Sequence, residues 1–591
     1  MVILTSDTFT EEQKYAEHFK LFPNLNLSLF QKWSIKAIVD GDHSLITAHT
    51  GSGKTLPAEF AIQYFVKNKK KVIYTTPIKA LSNTKLADLR KKYPSISFGI
   101  VTGDITENPD ADVLIMTTEI LPATILAKAA AVQNTNTPLA FDMNFDKELA
   151  MVIFDEVHYI NDPDRGNVWE QAIMLLPPHV QLLMLSATID KPNMFASWVE
   201  DEKNRQATEA NILKKQLYLS STSHRVVPLT HYMWLGAGQK AIKYIQNKNL
   251  KWENLIQKPV EIKAPNKTFD EKTYRQVMQG VNYFENPKNH GVSNRYVLNG
   301  LIEHLKLTGG LPAICFVFSR KQVEQIANQF DRTLFTENES YTQSTIARDS
   351  ESILRNKLPS YKEYLELPEY KNMLRWMEKG IAIHHAGVLP VLREMVEILF
   401  DAGKIKLLIA TETLAVGINF STKSVVFTNL SKYDGYGRRL LRPHEYTQMA
   451  GRAGRRGIDT VGKIWICANM IKTQPTPNEM SHILTGPPQT LTSQFKISYP
   501  LAIAAAGQSS NNSLNDIIIG SMLEKNMKTT ADLYKNDAEK TNTKINETTE
   551  LLNWCKTTKE VLDEYINLEK QLPSATKKNK RRKSATAMES R

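Results

Sequence analysis

The chain is 591 residues long, 42% hydrophobic and 23% charged, with a formal net charge of +12. That length is too great for one hydrophobic core and points to two or three domains, while the composition is that of ordinary globular protein. No run approaches eighteen uncharged apolar residues, so no membrane-spanning helix is expected, and the opening MVILTSDTFTEE starts apolar and turns acidic, the wrong order for a signal peptide.

In chain order, residues 1–22 read as an extension. The runs SLITA (44–48), KVIYTT (71–76), FGIVTG (98–103), DVLIMTT (112–118), LAMVIF (149–154) and QLLMLSAT (181–188) then read as fully buried strands, each followed by a stretch of helical character. This alternation predicts an α/β domain with a doubly wound parallel sheet over 23–218. A polar, Lys/Asn-rich stretch without strong periodicity (236–300) interrupts the pattern. It resumes with AICFVFS (313–319), GIAIHH (380–385), KLLIAT (406–411), SVVFTNL (424–430) and KIWICA (463–468), predicting a second such sheet within 219–487, with a further polar insertion at 331–371. Cys315, Cys467 and Cys555 are too scattered for a metal site; two of them lie in strand-like runs and are expected to be buried free thiols. Short helices and a Gly/Ser/Asn break fit a small winged-helix-like unit over 488–529. A helical segment over 530–572 follows, with Leu551, Trp554, Leu562 and Tyr565 near helical spacing. Residues 573–591 form a basic tail, with six Lys or Arg among the seven positions 577–583; a solvated tail, an RNA-binding arm and a nuclear address share this pattern.

Three motifs carry chemistry. Asp155-Glu156-Val157-His158 ends the strand LAMVIF and delivers two carboxylates to the carboxyl edge of a sheet, one suited to hold a metal ion and the other to polarise water. AHTGSGKT (Ala48, His49, Thr50, Gly51, Ser52, Gly53, Lys54, Thr55) follows a strand and opens a helix, as a P-loop does. Its glycines let backbone N–H groups approach phosphate, Lys54 neutralises phosphate charge and the Thr55 hydroxyl ligates Mg²⁺. With that site nearby, Asp155 is the second expected Mg²⁺ ligand and Glu156 the expected general base. In EYTQMAGRAGRRG (445–457), Gln448, Arg452 and Arg455 are at helical spacing and are expected to project from one helix. A basic RNA-facing helix is one reading. The other has Arg452 and Arg455 reaching the γ-phosphate held on the first sheet, so that hydrolysis requires the sheets to close.

On these residues the chain resembles the superfamily 2 DExH-box helicases, and within them the superkiller-like RNA helicases associated with the exosome. The matching strings run in the family's order: FQ (30–31), AHTGSGKT, TTPIKALSNTK (75–85), TTEIL (117–121), VIFDEVHYINDPDRGNVWE (152–170), LSATI (185–189), FVFSR (316–320), IHHAGVLP (383–390), LLIATETLAVGIN (407–419) and QMAGRAGRRG (448–457). The resemblance implies two tandem RecA-like domains, with ATP and Mg²⁺ in the cleft between them. It implies adenine recognition by Gln31, with Leu25 at the usual aromatic position and Phe22 nearby. Nucleic-acid contacts are implied for Thr76, Pro77, Lys79, Thr117, Thr118, Glu119, Ser319, Arg320, Thr411 and Thr413. Gly417 and Asn419 would touch ATP and nucleic acid, and His158, Ser186, Ala187 and Thr188 would couple hydrolysis to movement. A Ser or Thr at a strand end is also a common helix cap, and His384 and His385 equally read as packed strand-end histidines. The implied activity is ATP-dependent unwinding or remodelling of single-stranded or 3′-tailed RNA, tracked 3′ to 5′, with an RNA-decay or RNA-processing complex as partner and a nuclear or cytoplasmic location. A nucleotide-gated RNA clamp without processive unwinding, and a DNA helicase, are the alternatives. LTSQFKISYPLAI (491–503) resembles the start of the family's winged helix, and the stretch after Thr530 the root of its arch. The ratchet-bearing helical bundle has no counterpart, so hydrolysis is implied more directly than processive unwinding.

Overall fold

The computed structural model describes residues 2–23, 25–49, 51–131, 141–222, 225–238, 242, 245, 250, 252–285, 292–415, 420, 422–499, 501–503, 514–554, 558–567 and 570. The chain divides into a unit spanning Met1–Met522 and another spanning Leu523–Arg591. Two sheets organise the first unit. The amino-terminal one comprises β1 (Ile3–Leu4), β2 (His43–Ala48), β3 (Lys71–Thr76), β4 (Phe98–Val101), β5 (Thr106–Glu107), β6 (Val113–Thr117), β7 (Leu149–Phe154), β8 (Gln181–Ser186) and β9 (Leu217–Thr222), in the order β1-β9-β2-β8-β7-β3-β6-β4-β5. Its pairs are parallel except β4–β5.

Side-chain alternation explains why these runs are apolar throughout. Leu45, Ile73, Leu114, Val152 and Leu182 enter the core on one face. Their neighbours Ile46, Val72, Ile115, Ile153 and Leu183 enter the core on the other. Both faces are covered, as a doubly wound sheet requires, and each such burial stabilises by about 1.5–3 kcal/mol. Because β2, β8, β7, β3 and β6 are adjacent and parallel, their carboxyl ends meet along one edge, the usual ligand position in this class of sheet.

The second sheet comprises β10 (Leu229–Trp234), β11 (Pro259–Lys263), β12 (Ala313–Phe316), β13 (Ile381–His384), β14 (Leu407–Ala410) and β15 (Ser424–Phe427). After the small antiparallel hairpin β16 (Ser431–Tyr433) and β17 (Arg438–Leu440) it is completed by β18 (Gly462–Cys467). The order is β11-β10-β18-β15-β12-β14-β13, parallel except for β11 against β10. Cys315 and Cys467 are buried free thiols, pushed above the ordinary range by burial; Cys555 lies outside the described residues.

Several expected strands end early. FGIVTG is strand only to Val101, QLLMLSAT to Ser186 and AICFVFS to Phe316. The residues trimmed off leave the sheet at its carboxyl edge. The polar stretch 236–300 is more ordered than its composition indicates, supplying β11 and the helices Glu271–Glu285 and Asn294–Leu307. Tyr274, Val277, Val281 and Phe284 on one helix, and Val297, Leu301 and Leu305 on the other, complete the second core. Their helical spacing was hidden among Lys, Asn and Gln neighbours. Likewise 331–371 carries the helices Ser340–Lys357 and Tyr361–Glu366 and the start of Pro368–Met377.

Residues 489–493 join the first sheet's loops through a single bridge of Thr490 to Asp190, fastened to the segments that follow β7 and β8. Asp190 N–H donates to Gln489 O (2.9 Å), Asn161 Nδ2 to Thr490 O (2.8 Å), Thr492 N–H to Asn161 Oδ1 (2.7 Å) and Ser493 Oγ to Glu170 Oε2 (2.7 Å). A short helix, Leu514–Gly520, follows. The long helix Met522–Trp554 leads into the second unit, where Leu533, Tyr534, Ile545, Leu551 and Trp554 are exposed. The basic tail 573–591 lies outside the described residues. Among the described residues no helix is long and apolar enough to cross a membrane.

Candidate active site

β2 ends at Ala48, and the helix Thr55–Lys67 begins seven residues later. Gly51 and Gly53 adopt φ of 81° and 93°, backbone that a side chain would strain. A Cβ on Gly53 would also lie 2.8 Å from both Gln31 Nε2 and Arg456 Nη1. Lys54 Nζ donates to Ser186 O at the end of β8 (2.9 Å). Gln31 is committed at both ends of its amide: Oε1 accepts from Ser28 N–H (2.8 Å), and Nε2 donates to Gly53 O (3.0 Å). Thr50, Gly417 and Asn419 lie outside the described residues.

The acidic pair sits where β7 leaves the sheet. Asp155 is buried; Tyr74 OH donates to its Oδ2 (2.7 Å), and Lys85 Nζ lies 3.9 Å from the same oxygen while donating to Thr55 Oγ1 (3.4 Å). Burial pushes the Asp155 carboxyl above its ordinary range, opposed by Lys85 and aided by Glu156. Glu156 has φ 53°, left-handed backbone that costs about 1–3 kcal/mol in a non-glycine residue and is typical of functional turns. Burial pushes its carboxyl up, but the neighbouring cations Lys54 and Arg452 outweigh burial and hold it below the usual range. Its Oε2 is buried with no hydrogen-bond partner among the described residues. An ionised carboxylate with an uncommitted acceptor is what a general base requires.

His158 joins this turn to the one after β8, its Nδ1 accepting from Ala187 N–H (3.4 Å) and lying 3.4 Å from Glu156 Oε2. Burial lowers its pKa from 6.5 to about 4, so the ring is neutral near pH 7. A depressed histidine contributes stability that is present above pH 6.5 and is lost as pH falls toward 4. About 2 kcal/mol is expected to disappear between pH 7 and pH 5 from this residue alone. Thermal unfolding at the two pH values checks it, and His158→Gln should remove that part of the drop.

The second sheet closes the site from across a cleft, through a turn rather than the single helix expected. The helix Pro443–Ala450 carries Gln448 but stops before Arg452. Gly454 then takes φ 89°, a left-handed turn no right-handed helix contains, and packs so closely on Val227 that a Cβ would lie 2.4 Å from Val227 Cγ1. Arg452 is buried with its charge facing Glu156 and Tyr159; burial lowers it to about 10, so it stays cationic. Arg455 is paired with Asp459 (2.8 and 3.0 Å). Arg456 reaches the P-loop, its Nη1 donating to Ser52 O (2.9 Å). The resulting cavity of about 820 Å³ is lined by Gln31, Lys54, Asp155, Glu156, Arg452 and Arg456, among others. Leu25 is exposed and lines it, with Phe400, Phe420 and Ile458 from the second sheet, whereas Phe22 is packed in the first core. Gln448 lines an adjoining cavity with Glu156, His158, Ala187 and Thr188.

The donor set fits Mg²⁺. The Thr55 hydroxyl and Asp155 carboxylate flank a point already approached by an ammonium group. Among the described residues no cluster of three His, Cys, Asp or Glu forms a self-sufficient metal cage. An ion there must share nucleotide phosphates and water as ligands, as Mg²⁺ does.

The residues expected to meet nucleic acid divide in two. Thr76, Thr117 and Thr118 are buried. The Thr76 hydroxyl bonds Ile78 O and Ser82 Oγ, and that of Thr118 bonds Thr76 O, so these hydroxyls shape the edge instead of facing solvent. Pro77 is buried as well, while Lys79, paired with Asp104 (2.5 Å), is exposed and Glu119 half-buried. Arg165 binds Pro77 O (3.3 Å) and Glu119 Oε1 (3.4 Å), tying the loops after β3 and β6 together. On the second sheet Ser319 stands at the N-cap position of the helix Arg320–Ala327 without a side-chain capping bond, Arg320 and Thr413 are exposed, and Thr411 is buried with its hydroxyl 2.9 Å from that of Thr413. His384 and His385 are packed strand-end histidines, bonded to Glu397 and to Gly387 N–H.

Comparison with known proteins agrees with this geometry. The DEAD/DEAH box helicase family matches residues 28–195, and the helicase conserved C-terminal domain matches 358–457. The antiviral helicase SKI2 of Saccharomyces cerevisiae is 35% identical over 529 residues, covering 82% of this chain and 38% of that protein. The chain belongs to the superkiller-like DExH-box helicases. The DExH-box ATP-dependent RNA helicase DExH9 of Arabidopsis thaliana is 35% identical over 82% of this chain and 45% of its own length. The ATP-dependent RNA helicase mtr4 of Schizosaccharomyces pombe is 34% identical over 81% and 40%. The chain thus spans less than half the length of these relatives. Within this DExH-box site the sequence reading passed over Tyr74, Lys85, Arg165 and Arg456. One signal was available: Lys85 sits on the inward face of the helix Lys79–Lys92, one turn from buried Leu81 and from buried Leu89.

Proposed function

We propose that this chain is an RNA-stimulated ATPase that moves along single-stranded RNA, 3′ to 5′, and unwinds or remodels it. The observation that carries the reading is the approach of Arg452 and Arg456 from the second sheet to Glu156 and the P-loop of the first. Lys54 would hold the β/γ-phosphates, and Glu156 would take the proton of the attacking water. Arg452 would stabilise charge developing on the γ-phosphoryl group, with Gln448 beside it and Arg455 recruited from Asp459 on closure. Thr55 and Asp155 would hold Mg²⁺, which supplies positive charge to the phosphates. His158, Ser186, Ala187 and Thr188 would transmit the state of the phosphate to the strand edges. There Lys79, Glu119, Arg165, Ser319, Arg320 and Thr413 would meet a nucleic-acid backbone without reading bases.

RNA as substrate is drawn from the relatives, which are named as RNA helicases; an RNA-decay or RNA-processing complex as partner follows from the resemblance to the superkiller-like family. ATPase assays with RNA and DNA oligomers, run beside strand displacement on a 3′-tailed duplex, test the reading. RNA is expected to stimulate hydrolysis and support displacement. Hydrolysis without displacement would leave a nucleotide-gated clamp, equal stimulation by DNA would indicate a less selective helicase, and no hydrolysis would sink the proposal.

A further inference from the structure

Lys85 stands between the two side chains that flank the metal position. Its Nζ is 3.4 Å from Thr55 Oγ1 and 3.9 Å from Asp155 Oδ2, and 5.7 Å from the centroid of the Tyr74 ring, whose hydroxyl donates to that same carboxylate oxygen. The Lys85 side chain is 14% exposed and that of Asp155 11%. The ammonium is therefore not a surface charge that strayed inward. Its stem is held on the inward face of the helix Lys79–Lys92 between Leu81 and Leu89, and it lines the nucleotide cavity. A lysine present only for a structural ion pair would close to ordinary charge-assisted distance, about 2.7–2.9 Å. This one hovers between both oxygens instead.

We infer that Lys85 is a built-in counter-ion for the metal position, occupying it when nucleotide is absent and swinging aside when Mg·ATP arrives. The inference rests on the ATP-site reading above. Three consequences follow from electrostatics. Asp155, buried beside Glu156, is not left uncompensated when no metal is bound. Nucleotide arriving without metal meets a cation already placed near its phosphates. A divalent ion must displace the ammonium, because two cations within 4 Å repel strongly in a buried site. The flexible four-carbon stem allows that displacement. All three blunt the dependence of nucleotide binding on Mg²⁺.

The test compares dissociation constants for a fluorescent, non-hydrolysable ATP analogue measured with excess Mg²⁺ and with EDTA. For Lys85→Met the EDTA-to-Mg²⁺ ratio is expected to rise roughly ten-fold over the native ratio, from weaker metal-free binding and easier metal binding together. Lys85→Arg, which keeps the charge, should stay near the native ratio. Lys85→Gln gives a second neutral variant if Lys85→Met does not fold. An unchanged ratio in the neutral variants overturns the inference. So does a parallel weakening of both constants, which would mark Lys85 as a structural or simple phosphate contact. If the native chain binds no nucleotide under either condition, the ATP-site reading fails with it; if it binds and only the ratio stays fixed, this inference alone fails.

Discussion

Glu156→Gln is expected to bind ATP about as well as the native chain and to hydrolyse it roughly 10²–10⁴-fold more slowly, the range associated with losing a general base. The substitution keeps the shape of the side chain and removes its ability to accept a proton. The surroundings make this residue, rather than its neighbour, the base. Tyr74 OH donates to Asp155 Oδ2 and Glu156 N–H to Asp155 Oδ1, so both oxygens of that carboxylate are already committed. Glu156 is held ionised by the cations Lys54 and Arg452, with Oε2 uncommitted among the described residues. Its left-handed backbone stores strain that a merely solvated strand end has no need to carry. The same electrostatics predict that any acid limb of the ATPase profile due to this residue lies below the ordinary glutamate range. Equilibrium nucleotide binding and steady-state hydrolysis, measured on the same preparation with RNA present, separate the two effects. Hydrolysis at the native rate would remove Glu156 from the role.

How much of this site could be read before the fold was known depended on whether the controlling physics was local. The P-loop and the acidic pair were legible because each follows a buried β-branched run. In a parallel sheet such runs place their carboxyl ends on one edge, and β2, β8, β7 and β3 lie side by side there. Two α/β sheets were legible for the same reason. What was missed depends on contacts distant in sequence. The helix Glu271–Glu285 covers the second core with four apolar residues embedded in a polar segment. Arg456 is the third arginine of a run, and nothing in that run says which of the three crosses the cleft. The supposed helix through Arg455 ends at Ala450, and the chain then turns at Gly454, whose positive φ and close approach to Val227, over two hundred residues away, suit only glycine. Thr76 and Thr118 are where the strand ends put them, but their hydroxyls satisfy neighbouring backbone and side-chain groups, a choice invisible to spacing.

Arg452→Ala is expected to lower RNA-stimulated ATP hydrolysis by roughly 10³-fold or more, within the 10³–10⁵ attributed to arginines that stabilise phosphoryl-transfer charge. Three arginines reach this cleft, and their burial and surroundings rank them. Arg455 is held by both oxygens of Asp459. Arg456 donates to the carbonyl of Ser52, a contact that holds the P-loop whether or not charge develops. Arg452 alone is buried, lining the same cavity as Glu156 and close enough for their charges to interact, so its electrostatic effect acts where water attack and γ-phosphoryl departure would meet, in surroundings of low dielectric. Arg456→Ala should therefore cost less in rate than Arg452→Ala and more in nucleotide affinity. Removing a buried arginine also leaves Glu156 with one fewer counter-charge, so Arg452→Gln is the companion variant, and unfolding temperatures establish that both fold. Single-turnover hydrolysis then reads the chemical step apart from product release. A native single-turnover rate in folded Arg452→Gln would show that the second sheet closes over the nucleotide without taking part in its cleavage.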